Sequence, residues 1–255
     1  MTTKNLFDLS GRMALVTGAA QGIGAAIAEV LAEAGAEVIV ADVNEDKAQE
    51  QAAILTAAGH RAAHIALDVG DEASIVHACA AVTKQYGAPW LLVNNAALQD
   101  RELLINATVD NWDRLLNVNA RGPFLMSREI ARAMIERGVG GRIVNIASCA
   151  LIGALTTGHS AYASSKAALV GLTRATALEL LHHGITVNTL MPGGVLTPGA
   201  INSKGPLPEG PGMRLPPLGL SDARDMGPGV LFFASPAAHR VTNQTLSIDA
   251  GWSLS

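Results

Sequence analysis

The stretch Met13-Ala14-Leu15-Val16-Thr17-Gly18-Ala19-Ala20-Gln21-Gly22-Ile23-Gly24 decides the architecture. An apolar run of strand length passes straight into a glycine-rich turn, and a helical apolar period follows over Ile23–Ala34. A strand that turns at once into a helix leaves the first helical amides unpaired and facing the turn. Glycines there let a pyrophosphate come close to the backbone. Gly18, Gln21, Gly22, Ile23 and Gly24 are therefore candidate contacts for such a group. The spacing is Gly-x-x-x-Gly-x-Gly and not Gly-x-Gly-x-x-Gly, so the turn needs support from elsewhere in the chain.

Working outward, strand-length runs recur at Met13–Thr17, Glu37–Ala41, Ala63–Leu67, Trp90–Asn94, Arg142–Ala147, Thr186–Leu190 and Gln244–Ile248. Helical periods lie between them at Ile23–Ala34, Glu45–Ala58, Glu72–Tyr86, Asp110–Glu136, Ala161–Leu181 and Asp222–Ala234, with Asp71, Asp110 and Ser221 as N-caps. This alternation predicts an α/β fold with a doubly wound, seven-stranded parallel sheet and helices on both faces. No repeat or shift in composition divides the chain, so residues 1–255 are expected to form a single domain. Only Pro192–Pro217 breaks the rhythm, with Pro and Gly throughout, and is expected to be a substrate lid.

Asp42 closes the second strand run, where a carboxylate can accept hydrogen bonds from ribose hydroxyls and would repel a 2′-phosphate. Neither Gln21 nor Val43 and Asn44 supplies a cation to neutralise such a phosphate, so NAD is expected over NADP. The plainer alternative for Asp42 is a loop acid or helix cap.

The chain of 255 residues is 49% apolar with a formal charge of −4, which argues against nucleic acid as a partner and for a small molecule. Met1-Thr2-Thr3-Lys4-Asn5-Leu6-Phe7-Asp8 has no apolar run of signal-peptide length, no membrane span is expected, and a cytoplasmic protein is the reading. The two cysteines, Cys79 and Cys149, have no metal-ligand spacing, and no metal is expected.

Tyr162 and Lys166 lie four apart in Tyr162-Ala163-Ser164-Ser165-Lys166, on one helical face. An ammonium beside a phenol favours the phenolate. Moving a phenol from ~10 towards neutrality needs a few pKa units, each about 1.4 kcal/mol, and gives a proton-transfer group for alcohol oxidation or carbonyl reduction. Ser148, after the fifth strand, could donate a hydrogen bond to the reacting oxygen.

These motifs together resemble the short-chain dehydrogenase/reductase family over nearly the whole chain. Thr17-Gly18-x-x-x-Gly22-x-Gly24, Asp68-Val69, Asn94-Asn95-Ala96-Ala97, Asn119, Ser148, Tyr162-x-x-x-Lys166 and Pro192-Gly193 with Thr197 occur in the family's order. The resemblance implies a Rossmann fold and a catalytic tetrad of Asn119, Ser148, Tyr162 and Lys166. The Asn119 backbone carbonyl would bind a proton-relay water, and Lys166 would also contact the nicotinamide ribose. It further implies cofactor contacts at Asp68, Val69, Asn95, Ala96, Tyr162, Lys166, Pro192, Gly193, Val195 and Thr197, and a homo-oligomer, commonly a homotetramer.

Leu98, Gln99, Cys149, Ala150, His159 and Gly194 are substrate candidates, a mixed polar and apolar set that suits a small polyol, sugar or other secondary alcohol. A 3-oxoacyl thioester reductase and a non-catalytic dinucleotide-binding sensor are the alternatives. Departures from the family pattern fall at Ala97, Asn243 and Ala250. An alanine at the last of these tolerates a left-handed backbone poorly, so the terminal turn is expected to differ in detail. Trp252 is expected to cover itself either on its own subunit or on a neighbour.

Overall fold

The computed structural model describes residues 6–254; the reading of Met1-Thr2-Thr3-Lys4-Asn5 falls outside these residues. In chain order the elements are β1 (Met13–Thr17), α1 (Gly22–Glu33), β2 (Glu37–Asp42), α2 (Glu45–Ala57), β3 (Ala62–Ala66), α3 (Glu72–Tyr86), β4 (Leu91–Asn94), α4 (Val109–Leu116), α5 (Gly122–Arg137), β5 (Gly141–Ile146), α6 (Ser160–Leu180), β6 (Ile185–Pro192), α7 (Pro198–Ile201), α8 (Met226–Ala234) and β7 (Thr245–Ile248). The strands form one sheet in the order β3-β2-β1-β4-β5-β6-β7, all parallel. The expected doubly wound sheet is what forms.

Strand alternation divides the interior into two cores. Ala14, Val16, Val38 and Val40 point to one face, where Ile27 and Leu31 of α1, Ala48 and Ala52 of α2 and Val230 and Phe233 of α8 cover them. Met13, Leu15, Ile39 and Ala41 point to the other, beneath Ile75 and Val82 of α3 and Met126 and Ile130 of α5. Each large apolar side chain so buried contributes roughly 1.5–3 kcal/mol. The central strands need apolar residues on both faces, which is why they read as unbroken runs.

Between β3 and β4 the chain crosses from one half of the sheet to the other, because β1 pairs with both β2 and β4. A crevice opens at such a switch point beyond the carboxyl ends of the strands. Asp42 ends β2, the glycine turn, Asn95 and Ser148 follow the ends of β1, β4 and β5, and all share this edge.

Three local expectations need correction. The segment Asp110–Glu136 is two α-helices separated by a π turn at Asn117–Arg121, and not one continuous helix. Thr108 caps α4 in place of Asp110, its hydroxyl accepting from the Asn111 amide at 3.2 Å. Asp222, not Ser221, caps the turn before α8, in a reciprocal box with Asp225. Asp71 caps α3 as expected, accepting from the amides of Ala73 and Ser74.

Near the C-terminus, Asn243 and Ala250 both adopt the left-handed backbone, with φ of 55° and 53°. Ala250 therefore takes a strained conformation for a residue with a Cβ. Trp252 packs on its own chain, against the cluster of Ala147, Cys149, Ala154 and Met191.

Candidate active site

The turn after β1 depends on glycine at two positions. Gly18 has φ of +63°, and a Cβ there would lie 2.7 Å from Ala96 Cα. A Cβ on Gly24 would overlap the Gly18 carbonyl oxygen. Asn95 braces this turn from β4, its Nδ2 donating to the carbonyls of Thr17 at 2.9 Å and Gly18 at 3.0 Å. The Thr17 hydroxyl accepts from the amides of Asn95 at 3.0 Å and Ala96 at 3.1 Å. The side-chain amide of Asn95 is thus committed to holding the turn. Gln21 occupies the N-cap of α1 without a side-chain capping bond, leaving the helix amides to an external acceptor. Ile23 packs inward against the first core. Gly22 abuts Thr197, where a Cβ would lie 3.3 Å from Thr197 Cβ. The cradle at Gly18 and Gly24, with free helix amides beside it, fits a dinucleotide pyrophosphate.

Asp42 leans over the same turn. Its carboxylate accepts from the Ala20 amide at 3.2 Å and the Asn44 amide at 3.0 Å. The capping role belongs to Asn44, which accepts from the Lys47 amide at 3.0 Å. Gln21, Val43 and Asn44 supply no cation, but the structure brings one from further along the chain. Lys47, in the first turn of α2, places Nζ 3.4 Å from Gln21 Oε1. Asp68 accepts from the Gly70 amide at 2.8 Å. Val69 is buried and fixes the approach of α5, since a Cβ on Gly122 would lie 2.5 Å from the Val69 carbonyl oxygen.

Around the carboxyl end of β5 the four expected catalytic side chains converge. Ser148 begins a short 3-10 turn and accepts from the Ala150 amide at 3.1 Å. Tyr162 is buried among Leu115, Ala150 and Ala161 with Leu98 against them, and the Ser148 hydroxyl is near enough to act on the acidity of its phenol. Lys166 is buried and donates to the Ile146 carbonyl at 2.8 Å, its Nζ 5.8 Å from the centroid of the Tyr162 ring. Asn119, on the π turn, is fully buried. It accepts from the Leu98 amide at 2.8 Å and donates to the Leu98 carbonyl at 2.7 Å and Ser165 Oγ at 3.0 Å. The π turn thereby ties the loop after β4 to the helix carrying Tyr162. Such turns recur at functional sites.

The electrostatics depart from the expectation of an acidified phenol. Burial pushes Tyr162 above the ordinary tyrosine range, the Ser148 hydrogen bond opposes this, and Cys149 adds to the rise. Burial also lowers Lys166 to about 8. The ammonium donates to a backbone carbonyl instead of the phenol, so it does not supply the expected stabilisation in this arrangement.

The substrate candidates separate. His159 joins the cluster: its ring lies 5.1 Å from that of Tyr162 and Nδ1 is 2.8 Å from Thr156 Oγ1. Burial, with Arg101 nearby, lowers it to about 4, so it is neutral at pH 7. Leu98 and Ala150 pack on Tyr162. Gln99 is half-buried on the same loop. Cys149 fills a packed interior: it is fully buried, its thiol meets the Met191 carbonyl at 3.3 Å, and burial pushes it up to about 12. Gly194 lies under Leu220 and Trp252, where a Cβ would be 3.0 Å and 3.1 Å from their side chains.

Pro192 ends β6 opposite Ile248, and the Gly193 amide donates to the Ile248 carbonyl at 2.9 Å. Val195 bridges to Ser221, and Thr197 caps α7 by accepting from the Ala200 amide at 3.1 Å. Arg101 holds the following segment, donating to the Pro206 carbonyl at 3.0 Å and to Ser203 Oγ at 2.7 Å. Sequence reasoning missed this residue. It also missed a buried polar chain behind the site, in which Asn94 donates to Asn145 at 2.8 Å and Asn145 to Thr173 at 2.8 Å. The signal was present as asparagines inside apolar strands. Among the described residues, no group of three or more His, Cys, Asp or Glu could hold a metal, and no helix is long and apolar enough to cross a membrane.

Residues 12–205 match the family model described as short chain dehydrogenase. The chain belongs to the short-chain dehydrogenase family. It is accordingly an NAD(P)-dependent oxidoreductase acting on CH–OH groups. Sorbitol dehydrogenase of Cereibacter sphaeroides is 38% identical over 262 residues, covering 95% of this chain and 98% of the relative. The 3-oxoacyl-[acyl-carrier-protein] reductase FabG of Vibrio cholerae is 36% identical, covering 96% and 98%. Among solved structures, a gluconate 5-dehydrogenase from Burkholderia cenocepacia, in complex with NADP and tartrate, superposes with a TM-score of 0.89 at 32% identity, covering 100% of both chains.

Proposed function

We propose that this short-chain dehydrogenase interconverts a secondary alcohol of a small polyhydroxy compound and its ketone, using NAD in preference to NADP. The convergence of Tyr162, Ser148, Lys166 and His159 beside the glycine turn carries this reading. The bound dinucleotide supplies the hydride acceptor or donor. The chain's own residues then have one task each. Ser148 orients the substrate oxygen against Tyr162, whose hydroxyl moves the proton. Asn119 holds the π turn, whose backbone carbonyl would hold the water that relays that proton, and Lys166 would supply positive charge to the phenol once its ammonium turns from the Ile146 carbonyl. Because burial keeps Tyr162 protonated at neutrality, it is ready to act as the acid of carbonyl reduction and must lose its proton before alcohol oxidation.

His159 and Gln99 suit extra substrate hydroxyls, and Leu98 with Ala150 forms the apolar wall. The segment 192–217 serves as the substrate lid, with Val195 and Thr197 nearest the cofactor. Asp42 at the turn supports NAD. The polyol and gluconate relatives support the substrate class. The FabG relative supports the second reading, a 3-oxoacyl thioester reductase. Family membership makes the chain an enzyme and sets aside the sensor. We further infer a cytoplasmic homo-oligomer, a homotetramer by family likeness, since Val109, Trp112 and Leu178 expose apolar surface on α4 and α6.

A panel of polyols, sugars, aldonic acids and 3-oxoacyl thioesters, followed by nicotinamide absorbance with NAD(H) and NADP(H), tests the proposal. Fastest turnover of a polyol or sugar acid with NAD is expected. Exclusive turnover of an oxoacyl thioester with NADPH would replace this reading with the second.

A further inference from the structure

At the edge of the sheet opposite the candidate active site, the strand amino ends gather positive charge without ion-pair partners. Arg12 precedes β1, Arg61 precedes β3, Arg137 ends α5 and Arg142 lies at the start of β5. The sheet is parallel, so this edge is roughly 15–20 Å from the cofactor turn at about 3.3 Å per strand residue. A cavity of about 370 Å³ opens here, lined by Arg12, Arg61, Arg137, Glu37 and Tyr86.

Three guanidinium groups thus face one carboxylate. Among the described residues, neither they nor Arg142 lies within ion-pair distance of an acid. Asp8 acts on Arg12 only at longer range, and its carboxylate already accepts from the Ser10 amide at 2.8 Å. Behind the cavity, Arg12 and Arg142 hold the Trp90 ring between them, with Cζ 3.9 Å and 4.7 Å from its centroid. Arg12 Nη1 and Arg142 Nε are buried without a hydrogen-bond partner. Burial and mutual repulsion lower the proton affinity of Arg142, to about 10. Arg137 donates to the Ala88 carbonyl at 3.0 Å, which fixes its stem at the rim.

Guanidinium groups in excess over carboxylates around a concave surface are an ordinary means of holding an oxyanion. We propose that this cavity binds a small polyanion, a metabolite carrying phosphate or several carboxylates, at a site separate from the cofactor and substrate cleft. Arg61 and Arg137 reach in from the exposed rim and Arg12 forms the floor. The size of the cavity suits a ligand no larger than a sugar phosphate or tricarboxylate. This site does not depend on which alcohol the enzyme oxidises.

Isothermal titration with pyrophosphate and with citrate, in saturating NADH so that the glycine turn is occupied, compares the wild type with the Arg61→Gln/Arg137→Gln double variant. Both side chains are exposed, so the variant is expected to fold, as retained NADH binding would confirm. Saturable binding of at least one probe, weakened tenfold or more in the variant, is expected; the stronger probe distinguishes phosphate from carboxylate ligands. Binding indistinguishable from potassium chloride at matched ionic strength, or unchanged by the double substitution, would overturn the proposal.

Discussion

Lys166 is costly to the fold, and the size of that cost can be measured. Burial lowers it from 10.5 to about 8, and at ~1.4 kcal/mol per unit this corresponds to about 3 kcal/mol of destabilisation at neutral pH. Lys166→Met keeps the stem volume and removes the charge. The substitution also deprives the Ile146 carbonyl of its donor, which costs about 1–2 kcal/mol. The net gain is therefore ~1–2 kcal/mol, or roughly 2–8 °C in Tm for a chain of this size. The pH dependence gives the sign independently. The unfolded chain keeps the ordinary lysine value of 10.5 while the folded chain releases its proton near 8. The wild-type deficit is complete below about pH 8, shrinks as pH rises and is gone above 10.5. Thermal denaturation of both proteins at equal concentration from pH 6 to 9.5 should show a constant advantage for the variant up to about pH 8, then a narrowing one, with turnover lost throughout. A variant less stable than wild type at pH 7, or a gap that widens with pH, would refute the reasoning.

Other outcomes follow from the same geometry. Alcohol oxidation requires the deprotonated Tyr162 and the charged Lys166. With the phenol raised and the lysine near 8, kcat/KM should climb from pH 6 to 8 and then flatten, and a fall over that first interval would count against the pair. Ala250→Gly relieves a left-handed alanine at φ 53°; the strain of ~1–2 kcal/mol less the added chain entropy leaves about 0.5–1 kcal/mol of stabilisation, readable as a higher urea midpoint. Asp42→Ala should raise kcat/KM for NADP by about tenfold or more, and adding Lys47→Ala should reverse part of that gain, because Lys47 reaches Gln21 at the same turn. An NADP preference already present in the wild type would mean Asp42 has been misread.

The central strands were legible because they are buried on both faces and written largely in apolar residues. The cofactor turn was legible because Gly18 and Gly24 stand where no other residue fits. The break in Asp110–Glu136 was not, since a π turn adds a residue to the helical period without any proline or glycine inside it to mark the insertion. Thr108 was passed over for Asp110 because both can cap, and the choice rests on Glu102, which accepts from the Thr108 amide at 2.7 Å. Lys47 and Arg101 escaped notice for a common reason. Each acts on residues distant in the chain, Lys47 on Gln21 and Arg101 on Pro206, through contacts that local pattern cannot anticipate. The direction of the Lys166 ammonium was not legible, because spacing predicts which face a lysine occupies but not that its ammonium turns to the Ile146 carbonyl.

The most direct measurement is single-turnover hydride transfer, followed by nicotinamide absorbance, in wild type and Tyr162→Phe with the best alcohol from the panel. The account predicts unchanged cofactor affinity and a rate reduced about a hundredfold or more, the scale of a lost proton-transfer group. A phenylalanine variant that turns over within a few-fold of wild type would contradict it.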